Sequence, residues 1–363
     1  MKINGNHYHT IWVKENDPKT IQVIDQRYLP FEFKIADLKS IEDTYIAIKE
    51  MWVRGAPLIG VTAAYGMYLG LLSLKQNNEN KIEDFANYLV SSRPTAVNLK
   101  FAIDLVLKNI AKENTLEEKI KIAFNTSNQL KQNEIENCRL IGEFGYSLIE
   151  KIAKAKKGET VNILTHCNAG WLACVDYGTA TAPIYLAHEK GIKLHVWVDE
   201  TRPRNQGARL TAFELGQEGI EHTIIADNTG GLLMQKGIVD IVIVGSDRTS
   251  ANGDVANKIG TYLKALAAND NNIPFYVTLP VSSIDFSIKN GIKEIPIEQR
   301  DQNEVKYIEG WLNNKITSVR LTPVNSPALN YGFDITPAKY VTALITEKGI
   351  CKANKKEIEK LKI

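Results

Sequence analysis

From Val161 onward the chain repeats one device: a short, nearly continuous apolar run followed by a longer segment with helical spacing. The apolar runs are VNILT (161–165), KLHVWV (193–198), EHTIIA (221–226), DIVIVG (240–245) and IPFYVT (273–278). Runs this short and this rich in β-branched residues read as strands buried on both faces. Their alternation with helices predicts a mainly parallel sheet covered on either side. The fold class expected is therefore α/β, with a Rossmann-like unit over residues 156–363.

The first 155 residues have a different character. Two strand-like runs, 9–13 and 20–25, flank the turn sequence KENDPK. Helical patterns follow at 40–53, 57–75, 81–91 and 97–112, and a long polar amphipathic pattern covers 115–153. This predicts a mostly helical N-terminal domain with a small leading β element, joined to the second unit through the lysine-rich KIAKAKKGET. The uncharged stretch 55–74 is long enough to cross a bilayer. However, only eight of its twenty residues are Leu, Ile, Val or Met and four are Gly, which favours a helix buried inside a folded protein.

Charge narrows the class of partner. With 44 basic and 42 acidic side chains the net charge is +2, which gives no global support for nucleic-acid binding. Four cysteines without a CxxC pair form neither a disulfide framework nor a zinc motif. The N-terminal residues lack the apolar core of a signal peptide. A cytoplasmic protein in a reducing setting, with no membrane association, is the expectation.

Ligands of open α/β sheets bind beyond the carboxyl ends of the strands. That rule selects HCNAG, DETRPRNQGAR, DNTGG, SDRTSANGDVANK and LPVSS. No GxGxxG or GxxxxGK[ST] loop occurs among them, and HExxH is missing too, so dinucleotide, nucleoside triphosphate and metal-hydrolase chemistry lose their sequence support. No cofactor and no metal are expected. Two reactive groups stand out. Cys167 follows the first strand and precedes Asn168, Ala169 and Gly170, a plausible helix start that would lower the thiol pKa. Cys174 falls seven residues on and reads as a buried hydrophobe. Asp247 ends the strand DIVIVG, where apolar neighbours would keep a carboxyl protonated and able to act as an acid; pairing with Arg248 is the plainer alternative.

Other residues suit an anion. In MWVRGAPLIG, Arg54, Gly55 and Ala56 precede Pro57, whose ring fits the start of a helix, and free backbone N–H groups there make a phosphate cradle. Arg93 stands at a second junction, with Pro94 and Thr95 placed to start the next helix. Asn257 and Lys258 are expected to open the helix after the Asp247 loop. A small phosphorylated ligand would need several of these at once.

Taken in order, HTIWV, IDQRYLP, MWVRGAPLIG, SSRPTAVNL, LTHCNAG, DETRPRNQGARLTAFEL, VGSDRTSANGDVANKIGTY and FDITPAKYVTALITEKG resemble the methylthioribose-1-phosphate isomerase family of methionine salvage. Its relatives are the 5-deoxyribose-1-phosphate and ribose-1,5-bisphosphate isomerases and the alpha, beta and delta subunits of translation initiation factor two B. The resemblance implies an aldose–ketose isomerase acting on a phosphorylated sugar, working as a homodimer without cofactor. It implies Cys167 and Asp247 as the catalytic pair. As substrate contacts it implies Arg54, Gly55, Ala56, Arg93, Gln206, Asn257 and Lys258. Ser246, where alanine is commoner, is expected to make the surroundings of Asp247 more polar, and NYGFDITP departs from the usual N-P-x-F-D-x-T-P in one loop.

Overall fold

The computed structural model describes residues 1–75, 79–94 and 96–362. Strands β1 (Lys2–Ile3) and β2 (Asn6–His7) form a short hairpin, and β3 (Ile11–Lys14), β4 (Asp17–Ile24) and β5 (Ile35–Leu38) an antiparallel sheet. Helices α1 (Ile41–Lys49), α2 (Ala56–Leu72), α3 (Ile82–Ser92), α4 (Val97–Ile110) and α5 (Leu116–Ala155) follow. Ser40 caps α1 and Thr115 caps α5, each through a capping box. Helix α2 is buried from Ala56 to Leu71. Three glycines explain its close packing: Gly60 faces Asn98 of α4, Gly66 faces Thr44 and Leu89, and Gly70 faces Phe85 and Ile41. Among the described residues no helix is long and apolar enough to cross a membrane.

The second half holds a sheet of seven strands: β6 (Val161–Thr165), β7 (Leu194–Asp199), β8 (His222–Ile225), β9 (Ile241–Gly245), β12 (Phe275–Thr278), β17 (Ala343–Thr346) and β18 (Gly349–Cys351). Their order is β18-β17-β12-β9-β6-β7-β8, parallel except for β18. Helices α6 (Ala182–Glu189), α7 (Ala212–Gln217), α8 (Thr229–Gln235) and α9 (Thr261–Asp270) connect the strands. Every residue of β9 is buried, as a central parallel strand requires. The last apolar run, 339–350, supplies β17, which lies inside the sheet beside β12, and most of the edge strand β18.

Above the carboxyl edge sits a smaller sheet, β13-β10-β11-β16, made of β10 (Arg248–Ser250), β11 (Val255–Lys258), β13 (Ile284–Asp285) and β16 (Phe333–Thr336). A two-stranded arm, β14 (Tyr307–Leu312) and β15 (Lys315–Arg320), projects from the segment before β16. The expected helix start at Asn257 and Lys258 is therefore corrected: both lie on β11, opposite Asp334 and Phe333 of β16, and α9 begins only at Thr261.

Candidate active site

The site collects at the carboxyl edge of β6, β7 and β9, where three loops are tied together by one imidazole. His166, 1% exposed, places Nδ1 at 2.9 Å from Asp199 Oδ2 and Nε2 at 2.8 Å from the carbonyl of Ile259. Gly260 leaves the room for this ring, since a Cβ there would stand 3.0 Å from it. Cys167, next along, has φ = 66°, a conformation that costs energy in a non-glycine residue. It is held there by two hydroxyls: Thr201 Oγ1 accepts from the Cys167 N–H at 2.8 Å, and Thr211 Oγ1 donates to its carbonyl at 2.7 Å.

No helix begins at Cys167. The chain runs as a loop with one 3₁₀ turn (Trp171–Ala173) before α6 starts at Ala182. The expected lowering of the thiol pKa is thus overturned: burial pushes it up, and Arg54 and Lys258 offset this in part. Cys174 does fill the buried role, packed with Cys138 and Ala173.

Asp247 is also raised by burial, against the pull of Lys258, Arg54 and Arg93. The neighbouring Arg248 guanidinium lies 3.9 Å from Asp285 Oδ2. Asp247 and Arg93 line one small cavity of about 40 Å³ with Ala56, Ala256, Ile295 and Phe333. Ser246 turns its hydroxyl to Thr249 at 2.9 Å. Cys167, Asp247 and Lys258 lie close enough to act on one another electrostatically, and Asp247 also feels the charges of Arg54 and Arg93.

Of the anion-binding candidates, Arg54 and Lys258 lie near both reactive groups and Arg93 near Asp247. Gly55 caps α2 at φ = 90°, and a Cβ there would sit 2.4 Å from the carbonyl of Ala173. No side chain caps this helix, and Ala56, not Pro57, is its first residue. Arg54 donates through Nη2 to the carbonyl of Asn168 at 2.7 Å and through Nη1 to Asn168 Oδ1. Gln206 is 6% exposed with Oε1 unpartnered, at the head of a π-helical turn (Gly207–Thr211), and shares a second cleft with Arg54. Asn257 donates to Thr261 Oγ1 at 3.0 Å. Lys258, 8% exposed, lies 5.0 Å from the Phe333 ring centroid, and burial lowers its pKa. Helix α4 starts at Val97; of the residues expected to begin it, Pro94 forms a turn and Thr95 falls outside the described residues.

Several contributors escaped the sequence reading. Asn168 fixes Arg54 and is itself fixed by Glu214, which is fully buried and also accepts from the Trp171 and Leu172 amides and the Tyr185 hydroxyl. Glu298 and Arg300 reach the cluster from a segment that reads only as polar and proline-containing. Nothing periodic marks them.

Two groups among the described residues carry metal-ligand types. In His166, Asp199 and Asp227, the Lys264 ammonium already stands 3.2 Å from Asp199 Oδ2. In the other, His7 and His9 both face Asp176 Oδ2, at 2.8 and 3.4 Å, away from the cluster just described.

Residues 52–353 match the model of the initiation factor 2 subunit family. A methylthioribose-1-phosphate isomerase of Desulfatibacillum aliphaticivorans is 55% identical, covering 99% of this chain and 98% of the relative. One of Sinorhizobium medicae is 52% identical, with 99% of both chains covered. Among solved structures, a 5-methylthioribose 1-phosphate isomerase of Pyrococcus horikoshii superimposes with TM-score 0.83 at 38% identity, over 98% of this chain and 96% of that one. The translation initiation factor eIF-2B subunit delta of A. fulgidus follows with TM-score 0.77 at 35% identity, over 95% and 96%. The full-length identity, with the same architecture, means that the chain belongs to the initiation factor 2 subunit family, among its methylthioribose-1-phosphate isomerases.

Proposed function

We propose that this chain converts 5-methylthioribose 1-phosphate, an aldose, into 5-methylthioribulose 1-phosphate, the ketose, in methionine salvage. The observation that carries this reading is 55% identity over 99% of the chain to an isomerase of that name. The difficulty of the reaction is physical: phosphate on the anomeric oxygen blocks free ring opening. A neutral Asp247 donates its proton to the ring oxygen as the C1–O bond breaks. Hydrogen then passes from C2 to C1 while the C2 hydroxyl becomes the ketone and returns its proton to the Asp247 carboxylate, with Cys167 serving as the base at C2 or as the group that steadies the developing charge. Loss of a C2 deuterium to water identifies the proton route, and its retention at C1 the direct shift.

Arg54, Arg93 and Lys258, with the amide groups at the start of α2, take the phosphate, and Gln206 and Asn257 hold sugar hydroxyls. Their binding energy keeps the sugar in register while the reacting carbons sit in a mostly dry pocket. The working assembly is a homodimer, which sedimentation of the purified protein tests. A non-catalytic subunit is the competing class; a buried thiol and carboxyl set among three cations have no use in such a protein and speak against it. A 5-deoxyribose 1-phosphate substrate stays the nearer rival.

The test is turnover of both sugars by the purified protein. The methylthio sugar should be the better substrate, and Cys167→Ser and Asp247→Asn should each cut kcat at least ~100-fold, the scale of one acid–base contribution. Full activity in both variants sinks the assignment.

A further inference from the structure

Arg93 carries a full positive charge into a nearly closed space. Its side chain is only 14% exposed and lines the cavity that holds Asp247. A buried guanidinium needs an anion, and the chain itself supplies one in Glu298, whose Oε2 stands 3.5 Å from Arg93 Nη2. The contact is long and single, not the bidentate fork of which arginine is capable. The other oxygen of Glu298 accepts from Arg300 Nη1 at 2.8 Å, and Arg300 is clamped twice by Glu304, at 2.9 and 2.7 Å. Glu304 is in turn held by Arg204 and by Asn330.

Glu298 thus has one firm partner and one loose one. We propose that Glu298 is the built-in counter-ion of Arg93: it pairs with the guanidinium and yields it to phosphate, while Arg300 keeps it in place. The inference rests on the reading of Arg93 as a phosphate ligand. It gives residues 295–304 a purpose. Ile295 and Pro296 wall the cavity, and two residues on, the chain supplies a carboxylate that pairs with Arg93 and competes with the incoming dianion. Glu298 touches no reacting atom and is a positioning residue.

Competition of this kind has a signature opposite to that of a structural brace. Removing the charge in Glu298→Gln leaves Arg93 without its internal anion and removes carboxylate–phosphate repulsion. Titration with inorganic phosphate should then show binding tighter by ~5-fold or more, the scale of one close charge pair. KM for the sugar phosphate should fall with it, while kcat holds or declines. Glu298→Ala should shift phosphate binding in the same direction. Combining Arg93→Ala with Glu298→Gln should erase the gain, because the gain acts through Arg93. Unchanged or weaker phosphate binding in both Glu298 variants would overturn the proposal, as would a gain that survives loss of Arg93. A parent that binds phosphate with this pattern yet isomerises neither sugar would remove the assigned reaction and leave the counter-ion standing. An active parent without the pattern would do the reverse.

Discussion

At Asp247 a carboxyl is enclosed with three cations and is still raised by burial. The sign of the pH dependence follows. A carboxyl raised in the folded protein keeps its proton above pH 3.8, the ordinary aspartate value, and loses it as pH rises through the folded value. Catalysis that needs the acid form should therefore decline on the alkaline side, and acidification should not harm this group. Difference infrared spectra should show a protonated-carboxyl band above pH 3.8 that is missing from Asp247→Asn; its absence would remove Asp247 as the acid. Both proposed reactive residues drew attention in the sequence for the same reason, since each follows an apolar strand that leads into a polar loop. The state of the thiol was not legible there. The residues after Cys167 look like a helix start, yet Glu214 takes up the amides of Trp171 and Leu172 that a helix would have used, and this partner lies more than forty residues away.

At the scale of elements, helices and parallel strands announced themselves through periodicity, whereas the small sheet over the site did not. Strand β11 exists because it pairs with β16, about eighty residues further on, and no local pattern records such a partner. That is why Asn257 and Lys258 read as a helix start. The junction before α2 makes a sharper claim. Gly55→Ala must hold φ = 90° and push a methyl into the Ala173 carbonyl. A loss of roughly 1–3 kcal/mol is expected from the backbone strain alone, together with weakened phosphate binding. Chemical denaturation of the variant checks the first, and phosphate titration the second.

Helix α5 carries a second element-scale consequence. Glu134 is fully enclosed, with Oε2 unpartnered and Glu347 nearby, and burial raises its pKa from 4.5 to about 8. Between those values the folded chain holds a proton that the unfolded chain has lost. Stability should then fall with rising pH by ~1.4 kcal/mol per unit, from 4.5 up to about 8. Glu134→Gln, which mimics the protonated form, should flatten this slope in denaturant titrations at several pH values. An unchanged slope would mean that Glu134 is ionised in the folded protein.

The whole molecule is organised so that neither half owns the site. Arg54 and Gly55 come from the helical half and Cys167, Asp247 and Lys258 from the α/β half; the Arg54–Asn168 pair ties them directly. A ligand gripping both should stabilise the chain as one unit. At a phosphate concentration of 100 times the dissociation constant the gain is ~2.7 kcal/mol, and calorimetry should show a single transition moving upward. A second transition left in place would mean that the ligand engages only one half. The segment containing Glu298 and Arg300 illustrates what sequence hides at this scale. Its polarity suits any surface loop, and only the closed molecule turns it toward Arg93.

The forty residues of α5 pack at two addresses. Ala123 and Leu130 join the core of the helical half, while Gly142 abuts Ala182, Gly145 abuts Pro183 and Ile149 enters the core beneath β6. During synthesis the first address is nearly complete when α5 leaves the ribosome, because every residue of that core except Val175 is already made. The second is not: Ala182 and Pro183, the partners of Gly142 and Gly145, emerge about forty residues later. For that interval this face of the helix lacks the surface that covers it in the folded chain, so the two halves of one helix are completed at different times.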